Sequence, residues 1–491
     1  MPNPSLPHVY SVLADITTPL RLFEVLSANQ PQAILLESTD GDSRLARYSI
    51  LGWKPSLRVA FKDGVVSVFK NDGTHYESPC SNPLDYLQTK QAHFLASHGL
   101  TEADLKAFPH FTGGWLGYLG YNATQYFETS VTHQAEDVLQ VPDAAFGFYD
   151  VVLEFDHLKR TLNLISFREE PETKAIWSHV LHAIGEASTG FSPLPASLPV
   201  PEETDALFSN YSGPFTKASF LETVGRCKEL IVAGEVFQIV LAQRFSKRFE
   251  GNHPLDVYRT LIATNPSPYS YVLKFPDFYY LGSSPETFVQ CQNGEVVLRA
   301  LAGTRPRGAS EAEDTALAND LRKDEKELAE HRMLVDLARN DLGKVCEVGS
   351  VKVGELAQIH YYTHVMHLAT EVSGTLKPEY SAYDVVRSVL PRGTVSGAPK
   401  IRAMQHLSTL EPERRGIYAG ALGFFDLAGN TNTCIAIRSA LIKGGHVHVQ
   451  AGAGIVYDSQ PIAEYEETRN KAKSVVKAVY WAEAAAKQLN L

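Results

Sequence analysis

The sequence predicts an α+β fold carried on large antiparallel β-sheets. Two observations point there. Strand pairs joined by tight turns recur in both halves of the chain, and such turns demand antiparallel pairing. Helix-period segments stand between them, with no Walker loop and no dinucleotide-binding fingerprint despite 34 glycines. No internal repeat is present.

The elements follow in order. From Leu35 to about Ile165 the pattern is strand-like, with Leu57–Phe61 and Val65–Phe69 flanking the turn Lys62-Asp63-Gly64. Val151–Phe155 and Thr161–Ile165 form a second hairpin signal around Asp156-His157. Between them, the glycines of Gly113 to Tyr121 imply close backbone approach. Glu170–Glu186 reads as a helix, and the Ser/Pro-rich stretch 188–214 as a linker between residues 1–187 and 215–491. A helix over Lys217–Ala233, ended by Gly234, opens the second half. Strands follow at Phe237–Phe245, Tyr269–Lys274, Phe278–Gly282, Thr287–Gln292 and Val296–Arg299. Lys323–Leu342 reads as a long helix. Tyr418–Tyr457 reads as a β-meander with turns at Ala428-Gly429-Asn430 and Gly444-Gly445. A last helix runs from about Ile462.

The chain of 491 residues has 45 Lys+Arg against 56 Asp+Glu, a net charge of −11. It lacks the basic stripe by which nucleic-acid binders displace counterions. An acidic surface also repels anions, so an anionic substrate would need a local reversal of sign. No stretch approaches the ~18 apolar residues of a membrane span. Met1–Pro7 holds three prolines and does not look like a signal peptide, so a cytoplasmic location is expected. Five scattered cysteines, none in a C-x-x-C pair, argue against disulfides and a structural zinc.

Two predicted helices carry glutamates at i, i+3, which share a face: Glu327 with Glu330, and Glu464 with Glu467. Lys471 lies seven residues after Glu464, on the same face. On spacing alone these pairs fit solvated faces or, from two facing helices, a site for a hard cation such as Mg²⁺. Arg438, by period 2, faces away from Ile435 and Ile437. It fits either a solvated side chain or one that grips a carboxylate bidentately. Gly452-Ala453-Gly454 has no bulk, which suits tight packing or backbone N–H groups reaching an anion. Pro391 to Lys400 is a small-residue loop before a helix, an anion cradle or a connector.

Together these strings resemble the chorismate-utilising enzymes. The likeness rests on Gly234 to Arg244 (GEVFQIVLAQR), Ser283-Ser-Pro-Glu-Thr287, Ala302 to Gly308 (AGTRPRG) and Asp324 to Val345 (DEKELAEHRMLVDLARNDLGKV), with the loop, meander and last helix already described. The resemblance implies a layered sandwich of two large sheets with helices outside. It also implies that Glu327, Glu330, Glu464 and Glu467 surround Mg²⁺. Glu286 would be the general acid, and His367 would serve a second, eliminating stage. Gln238 and Thr304 would belong to the catalytic group. Gly303, Thr304, Tyr418, Arg438, Gly452, Ala453, Gly454 and Lys471 would hold chorismate.

Within the family the sequence is similar to the anthranilate-forming branch. Water-adding members place a lysine where Gln238 stands, and a glutamine cannot deprotonate water. Aminodeoxychorismate-forming members often carry lysine where Ala302 stands. The resemblance thus implies conversion of chorismate and ammonia to anthranilate and pyruvate. No cysteine lies in a glutaminase-like Gly-x-Cys-x-Gly context, so a separate glutamine amidotransferase subunit is expected to supply ammonia. Leu36, Glu37 and Ser38, with Pro268, Tyr269 and Ser270, resemble the two walls of the family's tryptophan-binding pocket. That would make residues 1–187 regulatory and tryptophan a feedback inhibitor. Three departures stand out: Ser270 for the usual methionine, Ala300-Leu301 for Pro-Ile, and Arg392 for the usual alanine. Aminodeoxychorismate formation, or a non-catalytic sensor of tryptophan or chorismate, are the alternative readings.

Overall fold

The computed structural model describes residues 6–38, 47–132, 134–187, 194–195, 200–201, 203–361 and 365–489. They build two large sheets, every strand pairing of which is antiparallel. The first runs His8–Leu13, Thr161–Ser166, Val151–Asp156, Tyr48–Gly52, Ala33–Glu37, Tyr269–Lys274, Phe278–Ser284, Ser439–Lys443, His446–Ile455, Gln238–Arg248 and Gly397–Ala398. The second runs Lys352–Val353, Val365–Thr375, Glu295–Pro306, Thr287–Gln292, Thr431–Ile435, Ala421–Asp426, Gly114–Leu119, Ala144–Tyr149, Leu57–Lys62, Val65–Lys70 and His75–Pro79. Gln358–Tyr361 also lies on Val365–Thr375. Both sheets mix strands from before residue 188 and after residue 214.

Three cores define the layers. Successive side chains on a strand point to opposite faces. Thus Ile34, Ile50, Val152, Tyr271 and Leu273 of the first sheet meet Leu116, Tyr118, Ala145 and Leu422 of the second in a shared inter-sheet core. Their neighbours Leu35, Leu51, Leu153 and Val272 face the other way, onto helices Pro19–Ser27, Pro254–Thr264 and Pro461–Leu489. The outer face of the second sheet packs on helices Pro83–Ser97, Glu325–Val345 and Ala382–Val389. The order is helix, sheet, sheet, helix, the layered sandwich that the sequence led us to expect. Central strands are apolar on both faces because both faces are covered.

Four elements differ from the reading of the sequence. The long helix begins at Glu325, because the Asp324 carboxylate accepts from the Lys326 and Glu327 N–H groups and caps it. A separate helix, Glu311–Lys323, precedes it. That helix shows little apolar periodicity, burying only Ala318 and Leu321. The strand at Val296–Arg299 extends over Glu295–Pro306, with an irregularity between Ala302 and Arg305 where Gly303 takes φ +63°. The stretch 188–214 lies partly outside the described residues. Within it Thr204–Phe208 is a helix whose Phe208 packs on Phe245, ring centroids 4.8 Å apart. The meander also splits. Ala421–Asp426 and Thr431–Ile435 belong to the second sheet, Ser439–Lys443 and His446–Ile455 to the first.

Candidate active site

The chain changes sheets twice at one place. It leaves the first sheet after Ser284 and enters the second at Thr287, with Glu286 in the link. It returns after Ile435 and re-enters the first sheet at Ser439, with Arg438 in the link. The two links touch, since the Ile435 N–H donates to the Glu286 carbonyl and the Ser283 N–H to that of Arg438. The period-2 placement of Arg438 therefore fails. Arg438 is not in a strand but at φ +52° in a crossover, and its direction follows from that turn.

Glu286 accepts a hydrogen bond from Thr394 Oγ1 at 2.8 Å. Burial pushes its carboxyl above the usual range, with Arg392, Thr394 and Lys471 pulling it back. Arg438 Nη1 donates to the Lys471 carbonyl. Lys471 Nζ pairs with Glu467 at 2.6 Å and donates to the Gly452 carbonyl at 3.1 Å. The Tyr418 hydroxyl would lie 3.3 Å from a Cβ at Gly452, so the bare glycine makes room for it. Burial pushes the Tyr418 hydroxyl up to about 12, which keeps it a hydrogen-bond donor at neutral pH. Ala453 is buried between these glycines, in register with Leu241.

His367 Nδ1 lies 2.8 Å from the Gly303 carbonyl and 3.1 Å from Thr304 Oγ1. A carbonyl only accepts, so Nδ1 carries the proton and the lone pair is on Nε2. Burial, and less strongly Arg438, lowers the His367 pKa against the opposing pull of the Gly303 carbonyl, and the net lowering favours the neutral ring.

The glutamate pairs stand near the N-termini of two helices, Glu325–Val345 and Pro461–Leu489. Burial, then Glu330 and Asp324, raise the Glu327 pKa. Burial and Glu467 raise that of Glu464, whose Oε2 is buried without a hydrogen-bond partner. Lys326 of the other helix acts on Glu464 across the gap. Gln238 Nε2 donates to Glu330 Oε1 at 3.0 Å and would meet a Cβ at Gly454 at 2.7 Å. Among the described residues no group of three or more His, Cys, Asp or Glu side chains converges as a metal site. The pairs stand as two couples. As a donor set they fit a hard cation, being all-oxygen, self-repelling, and holding one orphaned buried carboxylate oxygen.

Comparison with known proteins identifies the family. The family model described as chorismate binding enzyme matches residues 31–477. The chain belongs to the chorismate-binding enzymes. Across the whole chain it is 40% identical to the anthranilate synthase component 1 of Pseudomonas putida, covering 97% of this chain and 96% of that one. It is likewise 40% identical to that of Aquifex aeolicus, over 97% and 95%. The crystal structure of anthranilate synthase component I from Streptococcus pneumoniae superposes with a TM-score of 0.74 at 35% identity, covering 95% of this chain and 99% of that one. The isochorismate synthase MenF of Escherichia coli shares the fold, with a TM-score of 0.68 at 18% identity.

In this chorismate-binding enzyme the second group of expected residues lies where residues 33–37 and 269–274 pair. Glu37 stands opposite Ser270, and Leu36 opposite Tyr271. The Tyr258 hydroxyl donates to Glu37 Oε2 at 2.6 Å, and burial raises the Glu37 pKa. Ser38 Oγ is buried without a partner. Ser270 Oγ is 3.2 Å from Ser283 Oγ, which donates to the Asn265 carbonyl. The Tyr269 hydroxyl reaches across to Thr287 at 2.9 Å, next to Glu286, while Pro268 precedes it, partly buried.

Sequence reading missed two features of the chorismate-binding enzyme. Thr394 was visible only as part of a small-residue loop, and nothing local marks its bond to Glu286. Behind Tyr418, Arg415 and Glu411 form a buried pair at 2.6 Å, and Arg415 lies 4.4 Å from the Tyr121 ring and 5.9 Å from that of Tyr418. Their i, i+4 spacing was the available signal.

Proposed function

We propose that the chain is the large component of an anthranilate synthase, converting chorismate and ammonia to anthranilate and pyruvate, the first committed step of tryptophan biosynthesis. The observation that carries this is the 40% identity to components 1 of that enzyme over nearly the whole of both chains. Gln238 supports it, since a neutral amide there suits ammonia as nucleophile and not a water that must be deprotonated. A glutamine amidotransferase subunit is the proposed ammonia source.

Chorismate is a dicarboxylate. Arg438 and Tyr418, with the bare backbone at Gly452 and Gly454, would hold its enolpyruvyl carboxylate, and Lys471 adds positive charge nearby. Mg²⁺, held by Glu327, Glu330, Glu464 and Glu467, would bind the ring carboxylate and stabilise charge spreading through the diene. As ammonia adds at ring position 2, Glu286 gives its proton to the departing 4-hydroxyl. Burial raises its pKa, which favours the proton-bearing form that this step needs. The His367 Nε2 lone pair would then take a proton as pyruvate is eliminated and the ring becomes aromatic. Tryptophan, seated at Leu36–Ser38 and Pro268–Ser270, would inhibit, and Tyr269 bonded to Thr287 gives that pocket a contact beside Glu286. We place the enzyme in the cytoplasm; no helix among the described residues is long and apolar enough to cross a membrane.

The test is incubation with chorismate, Mg²⁺ and ammonium salt at alkaline pH. Anthranilate fluorescence and pyruvate should appear together. An aminated product that retains its enolpyruvyl group would replace this reading with aminodeoxychorismate formation.

A further inference from the structure

Residues 390–399 lead from helix Ala382–Val389 to helix Lys400–Leu410 and carry Thr394, the donor to Glu286. Both ends of this loop meet at one ammonium. Lys400 opens the second helix and is only 8% exposed. Its Nζ donates back to the carbonyl of Val389, where the first helix ends, at 2.9 Å. The same Nζ donates to Asp341 Oδ2 at 2.8 Å. Asp341 is buried on helix Glu325–Val345, and the half-exposed Lys344 holds its other oxygen at 3.0 Å. A buried ammonium persists only where such partners compensate it. Burial lowers the Lys400 pKa to about 8 against the pull of Asp341, with Lys344 and Arg392 acting in the same direction as burial. At pH 7 Lys400 is therefore still charged.

A second contact joins the loop to the same helix. A Cβ at Gly393 would collide with Leu337 Cδ2, so bare backbone presses on the helix there. Leu337 and Asp341 are four residues apart and share one helix face. That face thus meets the loop at Gly393, beside Thr394, and at Lys400. Past Thr394 the loop is fixed to another element. The N–H groups of Phe237 and Val240, flanking Gln238, donate to the Ala398 and Ser396 carbonyls at 2.7 and 3.0 Å. Thr394 stands between the helix attachment and the strand attachment.

We propose that Lys400 is a positioning residue for the proton donor: it staples both ends of loop 390–399 to helix Glu325–Val345 and so holds Thr394 against Glu286. The proposal rests on the reading of Glu286 as proton donor. In that step ammonia bonds to the ring, the double bonds shift and the ring C–O bond breaks. The proton passes from Glu286 to the departing oxygen, water leaves and a carboxylate remains. The Thr394 hydroxyl keeps that carboxyl in place and favours the charge it ends with. Without the staple the loop is free to draw back from the helix, and Glu286 loses the donor that orients it. A misplaced acid slows the step without changing how chorismate binds.

The experiment uses the full-length chain with chorismate, Mg²⁺ and constant free ammonia at pH 7, and reads urea unfolding beside turnover. In Lys400→Met kcat should fall roughly tenfold, the scale of one hydrogen bond to a charged group, while KM for chorismate holds. Its urea midpoint should fall too, because Asp341 loses its buried partner. Combining K400M with Asp341→Leu replaces the ion pair by apolar groups, which should restore the urea midpoint and leave kcat low. This double variant carries the test should K400M alone not fold. Adding Thr394→Val to it should lower kcat no further than T394V alone, because residues acting through one contact are not additive. Turnover that recovers with the urea midpoint, a double variant that does not fold, a loss confined to KM, or a T394V loss that multiplies the other overturns the proposal. Full activity in Glu286→Gln brings down the proton-donor reading instead. With E286Q inactive, any of those four results brings down only the place of Lys400.

Discussion

The Thr394 hydroxyl donates to Glu286 Oε1 at 2.8 Å, tying the loop before helix Lys400–Leu410 to the link between the sheets. A donor to a carboxylate favours its charged form. Thr394→Val removes that donor, so the Glu286 pKa rises further. Activity that needs the protonated acid is present below this pKa and lost above it. The alkaline limb of the pH–rate profile should therefore move to higher pH in T394V, read at constant free ammonia. Glu286→Gln should lower turnover by about 10²–10⁴-fold without loss of thermal stability.

The metal prediction has a readout apart from turnover. A ligand that binds only the folded chain raises its melting temperature by mass action. Titration with Mg²⁺ should raise the melting temperature of the parent chain, and a chelator should reverse the rise. Glu330→Gln and Glu464→Gln should each flatten that titration while the metal-free melting temperature holds or rises, because each relieves a like-charge pair. An undiminished Mg²⁺ response in both variants would remove these carboxylates from the site.

His367→Ala should slow pyruvate elimination more than amination. The aminated intermediate, with its enolpyruvyl group still attached, should accumulate and be seen by chromatography. Equal loss of both stages would deny His367 that role.

The pair Glu411–Arg415 is a stability device behind Tyr418. Arg415 also donates to the Val395 and Val240 carbonyls, both at 2.6 Å. Glu411→Ala leaves a buried guanidinium without its carboxylate, which should cost about 3–5 kcal/mol in urea unfolding. Because Arg415 donates to the Val395 carbonyl, beside Thr394, turnover should fall as well.

Tryptophan should raise the melting temperature and lower activity. Ser270→Met, which places a larger apolar side chain opposite Glu37, should change the strength of that inhibition. A chain indifferent to high tryptophan in both assays would rule the pocket out.

How far the sequence carried these conclusions depends on the residue. The antiparallel pairing was legible because turns such as Lys62-Asp63-Gly64 and Gly444-Gly445 are local chemistry. The glutamate pairs were legible as pairs, because i, i+3 is a property of one helix. The partner of Glu330 was not, since Gln238, which donates to it from the start of a strand, is brought there by tertiary packing. Arg438 was misplaced because period 2 assumes a continuing strand, and no local signal marks where a chain changes sheets. The Arg299 carbonyl to which Arg392 donates is likewise distant in sequence.

The pairing of Ala33–Glu37 with Tyr269–Lys274 has a further consequence during synthesis. The first sheet cannot be completed from the N-terminal residues, for its middle is closed by strands translated long after them. Contacts so remote in sequence make folding slow, and they leave the early strand edges open to wrong partners meanwhile. A nascent chain halted before Tyr269 would present unpaired edges at Ala33–Glu37. Such a fragment should be a client for chaperones, not an independently folding half.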